Sequence, residues 1–547
     1  MALIPNAAGS SSLKAKADQI LADSLADPLG SMTATCYDTA HLVRLWTRSA
    51  DPRIGALAMP AVAWLLRSQN PDGSWGAGPA PAGYRFVPTL AAVSSLLAVS
   101  ATRTAGQLAA PAGDAARRGL LFLTADPHRF GPAGLPDTVA IELIVPSLLE
   151  EIYEALEAEP ICREATGAAR TPTAPMVTRT GIGGLLADHG PWRTRLDFLR
   201  QAARQGLEYP PQLACSLEIF DTPPATVPAF TDGHIGCSPS ATAAALEWTG
   251  TAPEAAAVDY LERAADRHKN GSLQHLMPLA TFERAWIAST MLRLGIAVPK
   301  RTADQLAAYF TGKLASGGVA MGPGLPEDAD ITSTMIFSTH KLGLRADPAC
   351  LFTFEREDCF TNYPQERTPS VTTNAHILEA LGSWCERTPA PARRYAAGLD
   401  KARAFLLAAQ RADGAWDDKW HSSPCYATYC AALALHTHGG TDARPAVERA
   451  AQWITATQHD DGSWGVWCPT LDETAHALHL LLSLGRPAHR EAIHRAAAFL
   501  AQARDAGPAD PVRTPLWHGK ELYEPPRIID ALIASVLHRY HSTWTTR

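Results

Sequence analysis

The sequence predicts an almost entirely helical protein, and three observations carry that prediction. Runs such as "YATYCAALALHTHGG" and "ETAHALHLLLSLG" hold strong helix formers for about three turns and stop at glycine. Alternating β-branched stretches, the mark of half-buried strands, are scarce. Three segments also repeat: "WLLRSQNPDGSWG" (64–76), "FLLAAQRADGAWD" (405–417) and "WITATQHDDGSWG" (453–465).

Each repeat places an apolar helical turn before Gln, three residues, Gly, one residue and Trp: Gln69/Gly73/Trp75, Gln410/Gly414/Trp416 and Gln458/Gly462/Trp464. The glycine permits a turn at positive φ. The glutamine amide can satisfy backbone groups at a helix end, and the indole can pack across it. These segments therefore read as staples between helix pairs and not as a site. Gln410 and Gln458 lie 48 residues apart, the length of one helix pair with its loops. Pairs stacked at that period build an open solenoid or a closed α-barrel. The irregular recurrence favours barrels.

Composition excludes several functions. The chain has 547 residues, enough for two to four domains at roughly 100–200 residues each. Net charge is −7, and basic clusters are as short as Arg393-Arg394, so no nucleic-acid footprint is present. No run of 18 apolar residues offers a membrane span, and the N-terminus lacks the basic and apolar regions of a secretory signal. Ten cysteines without a CxxC pair read as thiols in a reducing cytoplasm.

Further stretches narrow the reading. "CYDTAHLVRLW" (36–46), "VAIELIVPSLLEE" (139–151), "DGHIGCSPSATAAAL" (232–246), "LMPLATFERAWIASTMLRLGI" (276–296), "SVTTNAHILEAL" (370–381), "DKWHSSPCYATY" (418–429) and "PLWHGKELYEPPRIIDA" (515–531) are collinear with one family. With the staples, they resemble the class II terpene cyclases, in particular the bacterial diterpene cyclases and drimenyl diphosphate synthases. The resemblance implies two α-barrels. A β domain would span 1–54 and 286–547 and carry the acid motif; a γ domain would be inserted at 55–285, with the active site between them.

The family's acid motif is Asp-x-Asp-Asp-Thr. Here it reads Asp328-Ala329-Asp330-Ile331-Thr332, so the last acid is replaced by isoleucine. Protonating an isolated alkene requires a neutral carboxylic acid in a dry site. Burial raises a carboxyl pKa, and a neighbouring carboxylate can share one proton with it. The resemblance makes Asp330 the proton donor, Asp328 its neighbour and Asn374 the residue that aims it, with His376 a second candidate. Trp286, Phe337, Tyr363, Trp384, Trp420, Tyr426 and Trp467 are candidate cavity aromatics for the cations that follow. Lys419 and Lys520 would bind the substrate diphosphate. Mg²⁺ would be held by Asp126, Asp137 and Glu142, what remains of the acid-rich run that the family's plant members carry.

The only Asp-Asp pairs, Asp417-Asp418 and Asp460-Asp461, lack an Asp three positions later. The cluster that ionises diphosphates in class I terpene synthases is therefore missing, and the product should keep its diphosphate. The expected reaction is cyclisation of geranylgeranyl diphosphate to a labdane-type bicycle, or of farnesyl diphosphate to a drimane. A squalene-hopene-like triterpene cyclase and a catalytically lapsed barrel scaffold remain as alternatives.

Overall fold

The computed structural model describes residues 7–158, 174–248, 254–364, 366–388, 392–507 and 510–544. Twenty helices follow in chain order: α1 (Ala7–Ala26), α2 (Cys36–Arg48), α3 (Pro52–Arg67), α4 (Phe86–Ala101), α5 (Ala109–Thr124), α6 (Ile141–Ala158), α7 (Ala174–Asp188), α8 (Gly190–Arg204), α9 (Pro239–Trp248), α10 (Ala255–Asp266), α11 (Ala280–Arg293), α12 (Lys300–Leu314), α13 (Ala329–Lys341), α14 (Val371–Arg387), α15 (Arg393–Ala408), α16 (Pro424–His438), α17 (Arg444–Ala456), α18 (Leu471–Leu484), α19 (Arg490–Ala503) and α20 (Pro526–Thr543). Three two-residue ladders accompany them: β1 (Ala34–Thr35) with β2 (Leu273–Gln274), β3 (Val319–Ala320) with β4 (Glu327–Asp328), and β5 (Trp517–His518) with β6 (Leu522–Tyr523), all antiparallel.

Two closed rings result. In the first, α11, α13, α14, α16, α18 and α20 pack in that order and α20 returns to α11. Helices α1, α12, α15, α17 and α19 form its outer layer. In the second, α2, α4, α6, the 3₁₀ segment Pro211–Ile219 and α9 close a ring, with α3, α5, α7, α8 and α10 around it. An inner helix touches core on nearly every side, so it loses the polar stripe of a surface helix. Helices α13 and α18 are accordingly buried over almost their whole length. Helix α4 with the turn before it is, among the described residues, apolar and long enough to cross a membrane by composition, and most of it is buried inside the second ring.

Hydrophobic contacts divide the chain into two cores. One takes α1 through Met32 and then, apart from Cys237, Leu279 to Tyr540; the other runs from Cys36 to Met277. The chain crosses between them twice, and the β1–β2 ladder clamps the two crossings side by side with Thr35 opposite Leu273. The inserted barrel therefore begins at α2 and not at residue 55, and ends before α11 at Met277 and not at 285. Helix α2 crosses over because Tyr37, Leu42, Val43 and Leu45 all find their apolar partners in the second core.

The three repeats act as staples. Gln69 Nε2 donates to the carbonyls of Gly73 and Ala115, Gln410 to those of Gly414 and Ala446, and Gln458 to those of Gly462 and Ala492, at 2.8–3.0 Å. Each amide thus ties one outer helix to the next. The indoles of Trp75, Trp416 and Trp464 are fully buried, and each donates to a carbonyl ten residues upstream at 2.8 Å. Gly73, Gly414 and Gly462 stand at φ of 90–99°, with the neighbouring helix's carbonyl oxygen 2.5–2.6 Å from where a Cβ would lie, so no other residue fits. Trp464→Ala is expected to cost about 3–5 kcal/mol, read as a fall in the urea or thermal midpoint. An unchanged midpoint would remove the staple's structural role.

Candidate active site

A cavity of about 560 Å³ opens between the two barrels. From the first barrel it is lined by the N-terminal turn of α13, by α11, by the loop after Asn362 and by the β5–β6 hairpin. From the second it is lined by residues 137–143, by α8 and by the 3₁₀ segment at Pro211–Ile219.

The acid motif sits on its deep wall. Asp328 is the N-cap of α13: its Oδ1 accepts the Ile331 amide hydrogen at 2.7 Å, as an Asp cap does. Its Oδ2 is buried and finds no partner among the described residues. Burial, and after it the neighbouring Asp330 charge, pushes the Asp328 carboxyl well above the ordinary range. Asp330 lies in the first turn and lines the cavity. Its Oδ1 stands 2.6 Å from His376 Nδ1 on α14. An Nδ1–H donated to Oδ1 would leave Oδ2 free to carry a proton. Ile331 is buried in the cavity wall, where it adds apolar surface beside the two acids.

Asn374 does not touch Asp330. Its Oδ1 accepts the Phe360 amide hydrogen at 3.0 Å, and its Nδ2 donates to the carbonyls of Phe360 and Ser370 at 2.8 Å. The loop so pinned carries Asn362, whose Oδ1 accepts the Asp330 amide hydrogen at 3.1 Å, and Tyr363, which lines the cavity. Asn374 acts two steps away, through the loop that seats Asp330. The contact with Asp330 expected of it is made by His376, two residues further along α14.

An aromatic wall adjoins the acid. Phe282, Trp286, Tyr426 and Trp517 line the cavity and touch in series, with ring centroids 4.6 Å apart for Phe282–Trp286, 5.7 Å for Phe282–Trp517 and 5.0 Å for Tyr426–Trp517. Trp286 also meets His376 edge-on, and its indole donates to the Tyr426 hydroxyl at 3.0 Å. Behind the wall, Asp472 Oδ2 accepts the Trp517 indole hydrogen at 2.9 Å and its Oδ1 stands 2.7 Å from His476 Nδ1. Burial pushes the Asp472 carboxyl up, but His476 and His421 beside it more than offset that and hold it low. The Asp472 carboxylate thus holds the Trp517 indole in place, and the electron-rich ring faces favour a cation in the cavity.

The opposite end is charged and open. Arg195 and Arg367 are more than half exposed and both bind Glu142, which stands in the first turn of α6. Lys419 Nζ donates to Glu366 and lies 4.9 Å from the Trp420 ring; Asp137 and His518 also line this end.

A dry acid at one end, aromatic faces between and basic side chains at the mouth suit a chain that carries an alkene at one end and an anion at the other. The chain's relatives agree. It is 35% identical to an ent-copalyl diphosphate synthase of Streptomyces sp. (strain KO-3988), over 97% of each chain. It is 36% identical to a labda-7,13-dienyl diphosphate synthase of Streptomyces clavuligerus, over 96% of this chain and 92% of that one. The chain belongs to the class II diterpene cyclase family. Among solved structures, the cyclase is similar to the ent-copalyl diphosphate synthase from Streptomyces platensis, with a TM-score of 0.79 at 36% identity, covering 96% of this chain and 99% of that one. The squalene-hopene cyclase C-terminal domain family matches residues 365–477, part of the first barrel.

Several expected positions lie elsewhere in the cyclase. Phe337 is off the cavity, between Arg293 and Lys341; seven residues beyond Asp330 puts it about 10 Å further along α13, below the cavity floor. Trp384 packs on His340 and Tyr395, and Trp467 on Tyr84. Trp286, Tyr363, Trp420 and Tyr426 do line the cavity. Lys520 is buried away from it, where its ammonium is held by Glu218 and by the hydroxyls of Ser238 and Ser240 at 3.0 and 2.7 Å. It anchors the β5–β6 hairpin to the second barrel. Asp126 is exposed at the start of the 3₁₀ turn Pro127–Phe130, outside the cavity, so the three acids expected to hold metal do not assemble.

Sequence reasoning passed over Phe282, Trp517, Tyr523, His518, Arg195 and Arg367. Phe282 precedes Trp286 by four residues and shares its helix face, a signal that was present. Arg195 and Arg367 carried none, since each is one exposed arginine among many.

Proposed function

We propose that the cyclase takes geranylgeranyl diphosphate, protonates its terminal alkene from Asp330, closes a labdane-type bicycle and releases it with the diphosphate intact. The observation that carries this reading is the Asp330–His376 pair at the dry end of a cavity whose other end holds Arg195, Arg367 and Lys419. Protonation of the alkene leaves a tertiary cation, and each ring closure passes the charge along the chain under the Phe282–Trp286–Tyr426–Trp517 wall. Burial pushes the Asp328 carboxyl well above the ordinary range, which disfavours a negative charge beside the acid. The relatives' names, copalyl and labdadienyl diphosphate synthases, support the C20 substrate over the C15 one. The nine described cysteines are all free thiols, in keeping with action in a reducing cytoplasm.

The mouth also bears on the metal. Arg195, Arg367 and Lys419 are already paired with Glu142 and Glu366, so they bring little uncompensated positive charge to a diphosphate. Mg²⁺ is commonly bound by one or two carboxylates together with substrate phosphates. Asp137 and Glu142 line the cavity and are the carboxylates within reach of such an ion, whereas Asp126 is not; among the described residues no group of three metal-ligating side chains assembles. The ion would neutralise phosphate oxygens while the arginines and Lys419 orient them.

The test is incubation with geranylgeranyl and farnesyl diphosphates, then phosphatase and mass spectrometry. The expected result is a bicyclic C20 alcohol that appears only after phosphatase, with no free pyrophosphate before it. Hydrocarbon released without phosphatase would overturn the reading. Preferred turnover of the C15 substrate would replace labdane by drimane chemistry.

A further inference from the structure

A cyclase that protonates one alkene of a prenyl diphosphate must hold the chain at both ends. The acid meets the last alkene, and the phosphate anchor fixes where the first carbon lies. The separation between acid and anchor therefore decides which chain length fits. A loose anchor lets a shorter chain slip inward until its own last alkene reaches the acid.

In this structure the two ends are tied together through the protein. At the acid end, Asn362 holds the start of α13. Its carbonyl accepts the Ala329 amide hydrogen at 3.0 Å, and its Oδ1 accepts that of Asp330 at 3.1 Å. Glu366 in turn holds Asn362: Glu366 Oε2 accepts the Asn362 amide hydrogen at 2.7 Å, and the Glu366 amide donates to the Tyr363 carbonyl at 3.1 Å. At the mouth, the other carboxylate oxygen, Oε1, accepts from Lys419 Nζ at 2.5 Å.

Lys419 is fixed at its root as well. Its carbonyl accepts from His518 Nδ1 at 2.7 Å. The preceding residue, Asp418, accepts from the Ser370 and Thr372 hydroxyls and from the Thr372 and Trp420 amides at 2.8–3.1 Å. The Lys419 ammonium has three hydrogens. Glu366 and the Thr368 carbonyl take two, which leaves one for a phosphate oxygen. Both Lys419 and Glu366 line the cavity, with side chains 15% and 9% exposed, so a bound chain can reach the ammonium. The mouth arginines pair instead with Glu142 on α6, away from the loop that seats Asp330.

We propose that Glu366 is a positioning residue that sets the chain length the site accepts. It holds Lys419 with one oxygen and, through Asn362, the backbone of the proton donor Asp330 with the other. One carboxylate thus fixes the spacing between phosphate anchor and acid. Farnesyl diphosphate is one isoprene unit shorter than geranylgeranyl diphosphate. Held by Lys419, its last alkene falls short of Asp330 by the length of that unit.

This inference rests on the function proposed above, and the experiment separates the two. A glutamine has a single accepting oxygen, so Glu366→Gln can hold Asn362 or Lys419 and not both. The measurement is kcat/KM for geranylgeranyl and for farnesyl diphosphate, with wild type and variant, and with folding checked by circular dichroism. The expected result is a wild-type preference for the longer chain that Glu366→Gln narrows about tenfold. An unchanged or wider ratio overturns the assignment, even where both rates fall, because an equal fall marks a loop that is merely structural. Should Glu366→Gln not fold, Glu366→Asp, one methylene too short to span both partners, carries the same comparison. A wild type that prefers farnesyl diphosphate replaces the C20 reading, and the same narrowing of its preference still supports Glu366. If wild type forms a bicycle from neither diphosphate, the function proposed above fails and this inference with it.

Discussion

Asp330→Asn is expected to lower kcat on geranylgeranyl diphosphate by at least about 10²–10⁴-fold, with KM little changed. An amide keeps the shape of the carboxyl and can still meet His376, but it has no proton acidic enough for an alkene. Asp330 is 9% exposed and donates its own amide hydrogen to Asn362 Oδ1, so the substitution leaves that backbone contact in place. The measurement is single-turnover product formation, with folding checked by circular dichroism. Near-normal turnover by a folded Asp330→Asn protein would move the proton to Asp328, whose raised pKa and unpartnered Oδ2 make it the nearest rival.

His376→Ala is the second large effect. It removes the partner 2.6 Å from Asp330 Oδ1, and a hydrogen bond of this kind is worth roughly 1–3 kcal/mol. The expected fall in kcat is therefore about 10- to 100-fold, because the acid then samples orientations that miss the alkene. His376→Asn, whose amide nitrogen can reach the position of Nδ1, should recover part of the loss. Equal activity of the Ala and Asn variants would show that the imidazole does not aim the acid. Asn374→Ala should behave differently. It strips three buried hydrogen bonds, two to Phe360 in the loop and one to the Ser370 carbonyl, so its thermal midpoint should fall along with its rate.

The contrast between Asn374 and His376 shows where reading the chain stops. Both lie in "SVTTNAHILEAL", and both are polar residues in an apolar helix. Spacing along α14 cannot decide which of them faces Asp330, because that depends on the rotation of α14 against α13. Lys419 and Lys520 make the same point. Each is a lone lysine beside aromatic residues, yet one reaches the mouth and the other is buried under two serines and a glutamate from the second barrel.

The sequence by itself determined what is local. Helix formers and their glycine stops set the helices, and the Gln-Gly-Trp spacing set the staples. Each depends on contacts within a few turns of the chain, and such contacts leave a periodic or short-range trace. Only the tertiary structure decided which side chains share the cavity. Asp330 meets His376 across 46 residues, and Lys520 meets Glu218 across 302. The mouth arginines, Arg195 and Arg367, come from different barrels. Those meetings follow from the closure of two rings and from a hairpin that crosses between them, and a packing constraint between distant segments imposes no spacing on either one.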